Sequence, residues 1–271
     1  MDFTHELQEA LAAATAAGRY LQAEYAAFEP IPNAPAHIST HADRESQEII
    51  LKHLHAAFPT DGLVAEEKTP TLATAPIHSQ RQWVIDPIDG TRGFAMKNGE
   101  FSVMIGLTVN GRPVVGVVLE PAKNRLTYAA SGSGCWKKDG NSEAIRCRVT
   151  PCDMLSAAVL TQSHSKPGKP KPVQVKLAPS RVIETYSAGI KMALVARGEA
   201  DLYVNDYPEF HDWDICAGEV LVVEAGGTVT EYTGEAVRYG LAGAKRRSGL
   251  VASNGRLHDE AVQRLTCEPR V

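Results

Sequence analysis

The sequence predicts a layered α/β fold built from two packed subdomains, and three observations predict it. Helical stretches come first, a run of strands closed by tight turns follows, and strands then alternate with helices. Of the 271 residues, 44% are hydrophobic and 22% charged, a globular balance with ample material for a core. The texture divides the chain into an α+β part over 1–150 and an α/β part over 151–271.

The first helix is expected from Thr4 to about Ala27, where Leu7, Leu11, Ala14, Tyr20 and Leu21 share one face and Thr4 is a weak cap. Pro30, Pro32 and Pro35 make Phe28 to His37 a loop. A second helix is expected from Asp43 to about Phe58, with Ile49, Ile50, Leu54 and Phe58 on its apolar side. Pro59-Thr60-Asp61-Gly62 ends it.

Trp83-Val84-Ile85 reads as a short buried strand stopping at Asp86-Pro87. Phe101 to Asn110, Arg112 to Leu119 and Arg125 to Ala130 read as successive strands, with Asn110-Gly111 as a hairpin turn. Asn124 and Gly132 to Gly134 mark further turns. Lys166 to Pro172 is the best internal linker. A helix over Ser187 to Arg197, a strand over Ala200 to Val204, a helix over Trp213 to Ala225 and a strand over Gly227 to Tyr232 complete the reading.

Net charge is −4, and no basic stripe suggests a nucleic-acid polymer as partner. The clusters Lys166 to Lys176 and Lys245 to Arg247 read as local polar loops. The five cysteines are odd in number and form no CxxC pair, so they imply neither a zinc site nor a disulfide framework. Free thiols fit a cytoplasmic protein. No apolar run approaches a membrane span, and Asp2 and Glu6 do not suit a signal peptide. Monomer and homodimer are equally compatible with the sequence.

Acidic residues gather at the ends of expected elements. Asp86 and Asp89 flank Pro87, which fixes its φ, and precede Gly90, which permits a sharp turn, so the two can converge. Two adjacent carboxylates repel unless a cation lies between them, and a hard divalent ion such as Mg²⁺ answers that need. The amides of Gly90 and Thr91 can face an anion if a helix starts there. An Asx-turn explains the same residues without chemistry. His211-Asp212-Trp213-Asp214 is a second acidic cluster, where either Asp can be a helix cap. Glu66-Glu67 reads as a third cluster or a charged turn, and Asp43 as a fourth acid or a cap.

Together these segments resemble the inositol monophosphatase superfamily, the lithium-sensitive, magnesium-dependent phosphatases. Trp83 to Phe94 is similar to the family's first signature, W-x-x-D-P-x-D-G-T-x-x-F. Trp213 to Gly218, continuing to Glu224-Ala225-Gly226-Gly227, is similar to the second. Thr40-x-Ala42-Asp43 and Glu66-Glu67 stand where the family places upstream acids.

The resemblance implies an α-β-α-β-α sandwich of the inositol monophosphatase/fructose-1,6-bisphosphatase type and a phosphoric monoester hydrolase using two or three Mg²⁺ ions. By the same resemblance, Glu66, Asp86, Asp89, Asp214 and the carbonyl of Ile88 are metal ligands. Asp43 and Thr91 orient and deprotonate the attacking water, with Glu66 also in the catalytic set, and the amides of Gly90 and Thr91 bind phosphate. Glu67 is a neighbour. Most ligands fall in 1–150, and Asp214 falls in 151–271. A lysine that many members carry about ten residues before the Asp43 position is absent, the stretch here being Ile31 to His37.

Within the superfamily the chain is most similar to bacterial 3′(2′),5′-bisphosphate nucleotidases, which hydrolyse the small phosphate ester 3′-phosphoadenosine 5′-phosphate. Phe101-Ser102-Val103 to Pro121, Ala129 with Trp136, Gln162-Ser163-His164, and Ser187 through Lys191 to Tyr203 carry that likeness. It implies substrate contacts from Asp89, Gly90, Thr91, His164, Ser187, Lys191 and Asp214. An ammonium at Lys191 suits a second phosphate, although a lysine lying along the surface reads equally well. Asn205 and Asp206 stand where nucleotidases often place Arg, and Asp212 or Glu209 can bind sugar hydroxyls. An inositol-1-phosphate or broad sugar-phosphate phosphatase therefore stays open.

Overall fold

The computed structural model describes residues 2–76, 79–166, 168–207, 210–240 and 249–267. Lys245 to Arg247 and Glu209 lie outside them.

Two sheets carry the fold. The first contains β1 (Gly62–Ala65), β2 (Arg81–Asp89), β3 (Ser102–Val109), β4 (Arg112–Glu120), β5 (Arg125–Ala130), β6 (Gly134–Asp139) and β7 (Ile145–Arg146) in sequence order. It is antiparallel apart from the parallel β1–β2 pair. The second contains β8 (Val159–Gln162), β9 (Arg181–Glu184), β10 (Leu202–Asn205), β11 (Thr228–Glu231) and β12 (Leu250–Ser253) in the order β11-β12-β10-β8-β9. The helices are α1 (Thr4–Ala27), α2 (His41–Ala57), α3 (Pro70–Thr74), α4 (Thr91–Ala95), α5 (Pro172–Leu177), α6 (Ala188–Ala196), α7 (Cys216–Glu224) and α8 (His258–Thr266).

Successive strand residues face opposite ways, and that alternation sorts the apolar residues into three cores. Trp83, Ile85, Val103, Ile105 and Leu107 pack with Leu21, Ile50 and Leu54 of α1 and α2. Val84 and Met104, on the other face, join α6, α7 and the Tyr203 and Ala252 positions of the second sheet. Leu202, Val204 and Val251 point outward to Leu177, Ala261 and Leu265 of α5 and α8. The layers therefore run α-β-α-β-α. Among the described residues no helix is long and apolar enough to cross a membrane.

Helix α6 is buried all round, as expected for a helix with a sheet on either side. Helix α7 lies almost on the first sheet: a Cβ added at Gly116 would sit 2.2 Å from the Ala217 carbonyl, so only glycine fits there.

Several boundaries differ from expectation. Asp2, not Thr4, serves the start of α1, accepting the Thr4 amide at 2.9 Å. Helix α2 begins at His41, and Asp43 is the third residue of a capping pair with Thr40. Strand β2 does not stop at Asp86 but continues to Asp89. Gly134 opens a strand rather than closing a turn, and α7 starts at Cys216 rather than Trp213. Asn110 and Gly111 both take positive φ, the geometry expected of a tight hairpin. The five cysteines are free thiols.

Candidate active site

The acidic pair on β2 owes its geometry to a bulge. Asp86 pairs with Met104 and Asp89 with Ser102, so three steps on β2 oppose two on β3. In a regular strand, residues three apart point to opposite faces. One extra residue brings Asp86 and Asp89 to the same face. The Ile88 amide donates to Asp86 Oδ1 at 3.1 Å, closing the local turn. Oxygens of Asp86, Asp89 and Asp214 lie within 4.8 Å of one another.

Asp89 is also tied to the central layer. Its Oδ2 accepts the Gly189 amide at 2.7 Å and the hydroxyl of Ser187, and its Oδ1 accepts the Ala188 amide at 3.1 Å. The carboxylate thus sits on the open amides at the start of α6. Ser187, expected among the substrate contacts, is fully buried and holds Asp89 instead.

Glu66 follows β1, whose parallel pairing matches Ala65 to Ile85, one residue before Asp86. Glu66 and Glu67 form a second acidic group with Asp43, their oxygens again within 4.8 Å. Gln47 fixes the Glu67 backbone through bonds of 2.6 and 2.8 Å, and Glu67 accepts the Ser39 hydroxyl.

Asp43 uses its two oxygens separately. Oδ2 accepts the Thr40 amide and hydroxyl, while Oδ1 accepts the Thr91 hydroxyl at 2.9 Å. The capping role expected of Asp43 and its place in the acidic site therefore coexist. The Thr91 hydroxyl also lies 3.0 Å from the Ile88 carbonyl, and one proton serves only one of these acceptors. Gly90 places Thr91 at the head of α4 with φ of 87°. A Cβ there would meet the Glu100 carbonyl at 2.6 Å, so the turn requires glycine.

Asp214 lies between β10 and α7 and accepts the His211 amide. Among the described residues no side-chain hydrogen bond caps the start of α7, so simple capping does not explain Asp214.

Crowding and burial of like charges raise their affinity for protons. Burial, then the Asp214 and Asp43 carboxylates, push Glu66 up to about 8. Burial also pushes Asp214 up to about 7, against the opposing His211 amide. Asp86 is raised well above the carboxylate range by burial and by Glu66. Asp43 is raised by burial despite its three hydrogen bonds. The donors are hard oxygens, buried and mutually repelling, which suits a divalent oxygen-seeking cation.

Glu66, Asp86, Asp89 and Asp214 line a cavity of about 570 Å³ together with Ile88, Gly90, Thr91, Arg92, His164, Tyr186, Lys191, Tyr203 and Phe210. Lys191 is 1% exposed, which rules out the surface reading. Its ammonium donates to Ser163 Oγ, the Thr185 carbonyl and the Tyr186 carbonyl at 2.9, 3.1 and 3.2 Å, and burial pushes it down to about 8. His164 Nε2 lies 2.7 Å from Glu100.

The sequence reading missed Arg92 and Tyr186, whose side chains meet at the cavity wall with the guanidinium carbon 5.1 Å from the ring centroid. Arg92 falls inside the first signature, where its cationic character was the available signal.

The profile of the inositol monophosphatase family matches residues 4–269. The 3′(2′),5′-bisphosphate nucleotidase CysQ of Salmonella typhimurium is 34% identical over 201 residues, 74% of this chain and 78% of that one. A fructose-1,6-bisphosphatase/inositol-1-monophosphatase of Thermotoga maritima is 34% identical over 227 residues, 83% of this chain and 81% of that one. The solved inositol monophosphatase of Anabaena (Nostoc) superposes with a TM-score of 0.81 at 28% identity, covering 100% of this chain and 99% of that one. The five-layer architecture is thus the fold of that enzyme.

Proposed function

We propose a function from one premise, that the chain belongs to the inositol monophosphatase family: it is a Mg²⁺-dependent phosphomonoesterase that cleaves the 3′-phosphate of 3′-phosphoadenosine 5′-phosphate, releasing AMP and phosphate. The observation that carries the phosphatase chemistry is the convergence of Asp86, Asp89 and Asp214 beside Glu66. In this reading those four side chains and the Ile88 carbonyl hold the ions, two or three in number. Mg²⁺ bound there supplies charge neutralisation at the phosphoryl group and a more acidic water.

The protein's own groups do the rest. With its proton directed to Asp43 Oδ1, Thr91 Oγ keeps a lone pair for a water in the cavity and aligns that water for attack. Asp43, whose affinity for a proton is raised by burial, takes the proton through Thr91. First-turn amides of a helix lack intrahelical partners, and those at Gly90 and Thr91 orient the phosphate oxygens. Tyr186, Tyr203 and Phe210 line the same cavity and give a nucleobase flat apolar surface. A cytoplasmic setting accords with the free thiols.

A second reading, an inositol-1-phosphate or broad sugar-phosphate phosphatase, draws support from Lys191. Its three donor directions are already used within the protein, which weakens it as a phosphate selector. The Thermotoga relative is named for sugar and inositol phosphates.

Phosphate release with Mg²⁺ from 3′-phosphoadenosine 5′-phosphate, inositol-1-phosphate and fructose-1,6-bisphosphate tests both readings. A nucleotide preference of about a hundredfold in kcat/KM, about 2.7 kcal/mol, is the expected result. A preference for inositol phosphate transfers the proposal to the second reading, and no magnesium-stimulated turnover of any ester overturns both.

A further inference from the structure

The cations around the cavity are unevenly committed. Lys191 spends its three donors on Ser163, Thr185 and Tyr186. His164 is held by Glu100 and lies near Glu184. Arg92 is different. It is half-buried at the cavity wall, its Nε is buried without a hydrogen-bond partner, and it pairs with no carboxylate among the described residues.

Its position is nevertheless fixed. Arg92 follows Thr91 directly, in the first turn of α4. The Tyr186 ring lies 5.1 Å from its guanidinium carbon, a cation–π contact that orients the planar group. Tyr186 is itself restrained: its amide donates to Glu100 at 3.1 Å and its ring lies 4.4 Å from that of His164.

A buried N–H without an acceptor costs free energy until an acceptor arrives. A guanidinium prefers planar, bidentate oxygen acceptors, phosphate above all. The group being cleaved faces Gly90 and Thr91 in the reading given above. The Arg92 head lies over the Tyr186 ring, on the wall of the same cavity. We propose that Arg92 is a specificity-determining residue that binds a second phosphate of the substrate, the one that is not cleaved. The inference rests on the phosphomonoesterase reading but not on the identity of the sugar, since nucleoside and sugar bisphosphates offer the same chemistry.

Two substrate pairs isolate the second phosphate. One is 3′-phosphoadenosine 5′-phosphate against adenosine 3′-monophosphate, and the other is fructose-1,6-bisphosphate against fructose 1-phosphate. For each pair the ratio of kcat/KM, bisphosphate over monophosphate, is measured in wild type, Arg92→Gln and Arg92→Lys. The ratio should favour the bisphosphate of at least one pair in wild type. It should fall about ten- to a hundredfold in Arg92→Gln, as for loss of a charge-assisted contact. Arg92→Lys, which keeps the charge but not the fork, should recover part of it.

Whichever pair responds identifies the sugar class. Calorimetric binding of adenosine 5′-monophosphate, or of fructose 6-phosphate if the sugar pair responds, should weaken in parallel. Equal losses on both members of each pair, or a wild-type enzyme indifferent to the second phosphate, overturn the role of Arg92. Either result leaves magnesium-dependent turnover of the monophosphates as separate support for the phosphatase reading.

Discussion

The carboxylate of Asp89 accepts the amide of Gly189 at 2.7 Å across 100 residues of chain. One side chain is thereby a structural cap for α6 and a member of the acidic cluster. Among the described residues its neighbour Asp86 accepts only the Ile88 amide, two residues on. The two signature aspartates should therefore respond differently to the same substitution.

Asp89→Asn places an NH₂ group against amide donors at the start of α6. Stability of the metal-free protein should fall by about 1–3 kcal/mol. Asp86→Asn removes a buried charge from among other acids and should leave metal-free stability unchanged or raised. Turnover should fall by several orders of magnitude in both. Denaturant titration in chelator separates the two, and equal stability changes contradict this division of labour.

The pH dependence of stability follows from the raised carboxyls. Glu66 is pushed up to about 8 and Asp214 to about 7, while unfolded carboxyls titrate near pH 4. Between those limits the folded, metal-free protein binds more protons than the unfolded chain, so these groups lower stability as pH rises. The melting temperature in chelator should drop between pH 5.5 and 8.5, and added Mg²⁺ should recover most at the upper end. A melting temperature that rises across this window, or no Mg²⁺ effect, contradicts the electrostatic account.

Thr91→Val keeps the shape of the side chain and removes the hydroxyl shared by Asp43 and Ile88. If that hydroxyl aligns the attacking water, kcat should fall by about a hundredfold or more, within the range for positioned proton transfer. KM should move little, and Thr91→Ser should restore most of the rate. Near-normal kcat in Thr91→Val would remove Thr91 from the chemistry.

Lys191→Met would strand the Ser163 hydroxyl and the carbonyls of Thr185 and Tyr186. The expected cost is about 1–3 kcal/mol of stability, with similar losses in kcat/KM for nucleotide and inositol substrates. A loss confined to the nucleotide would instead make Lys191 a direct phosphate ligand.

Much of this was legible before the structure. The strands β3 and β4, the Asn110-Gly111 turn and the acidic signatures are local, and local pattern reports them. The bulge in β2 was not legible, because Asp86-Pro87 reads as a strand end although β2 continues through it. The tie between Asp89 and α6 joins distant segments, and no local rule reports it. The likeness to bisphosphate nucleotidases counts Ser187 as a substrate contact, yet its hydroxyl turns to Asp89. The short strands β8, β9 and β12 were not expected, whereas the equally short β10 and β11 were.

The first sheet is assembled in chain order, each strand lying beside the one before it. It can be laid down while the ribosome is still making the rest. The acidic cluster cannot, because Asp89 needs the start of α6 and Asp214 comes later still. A nascent chain therefore carries its first signature for well over a hundred residues before the site closes. The four carboxylates Glu66, Asp86, Asp89 and Asp214 can meet only once roughly four-fifths of the chain exists.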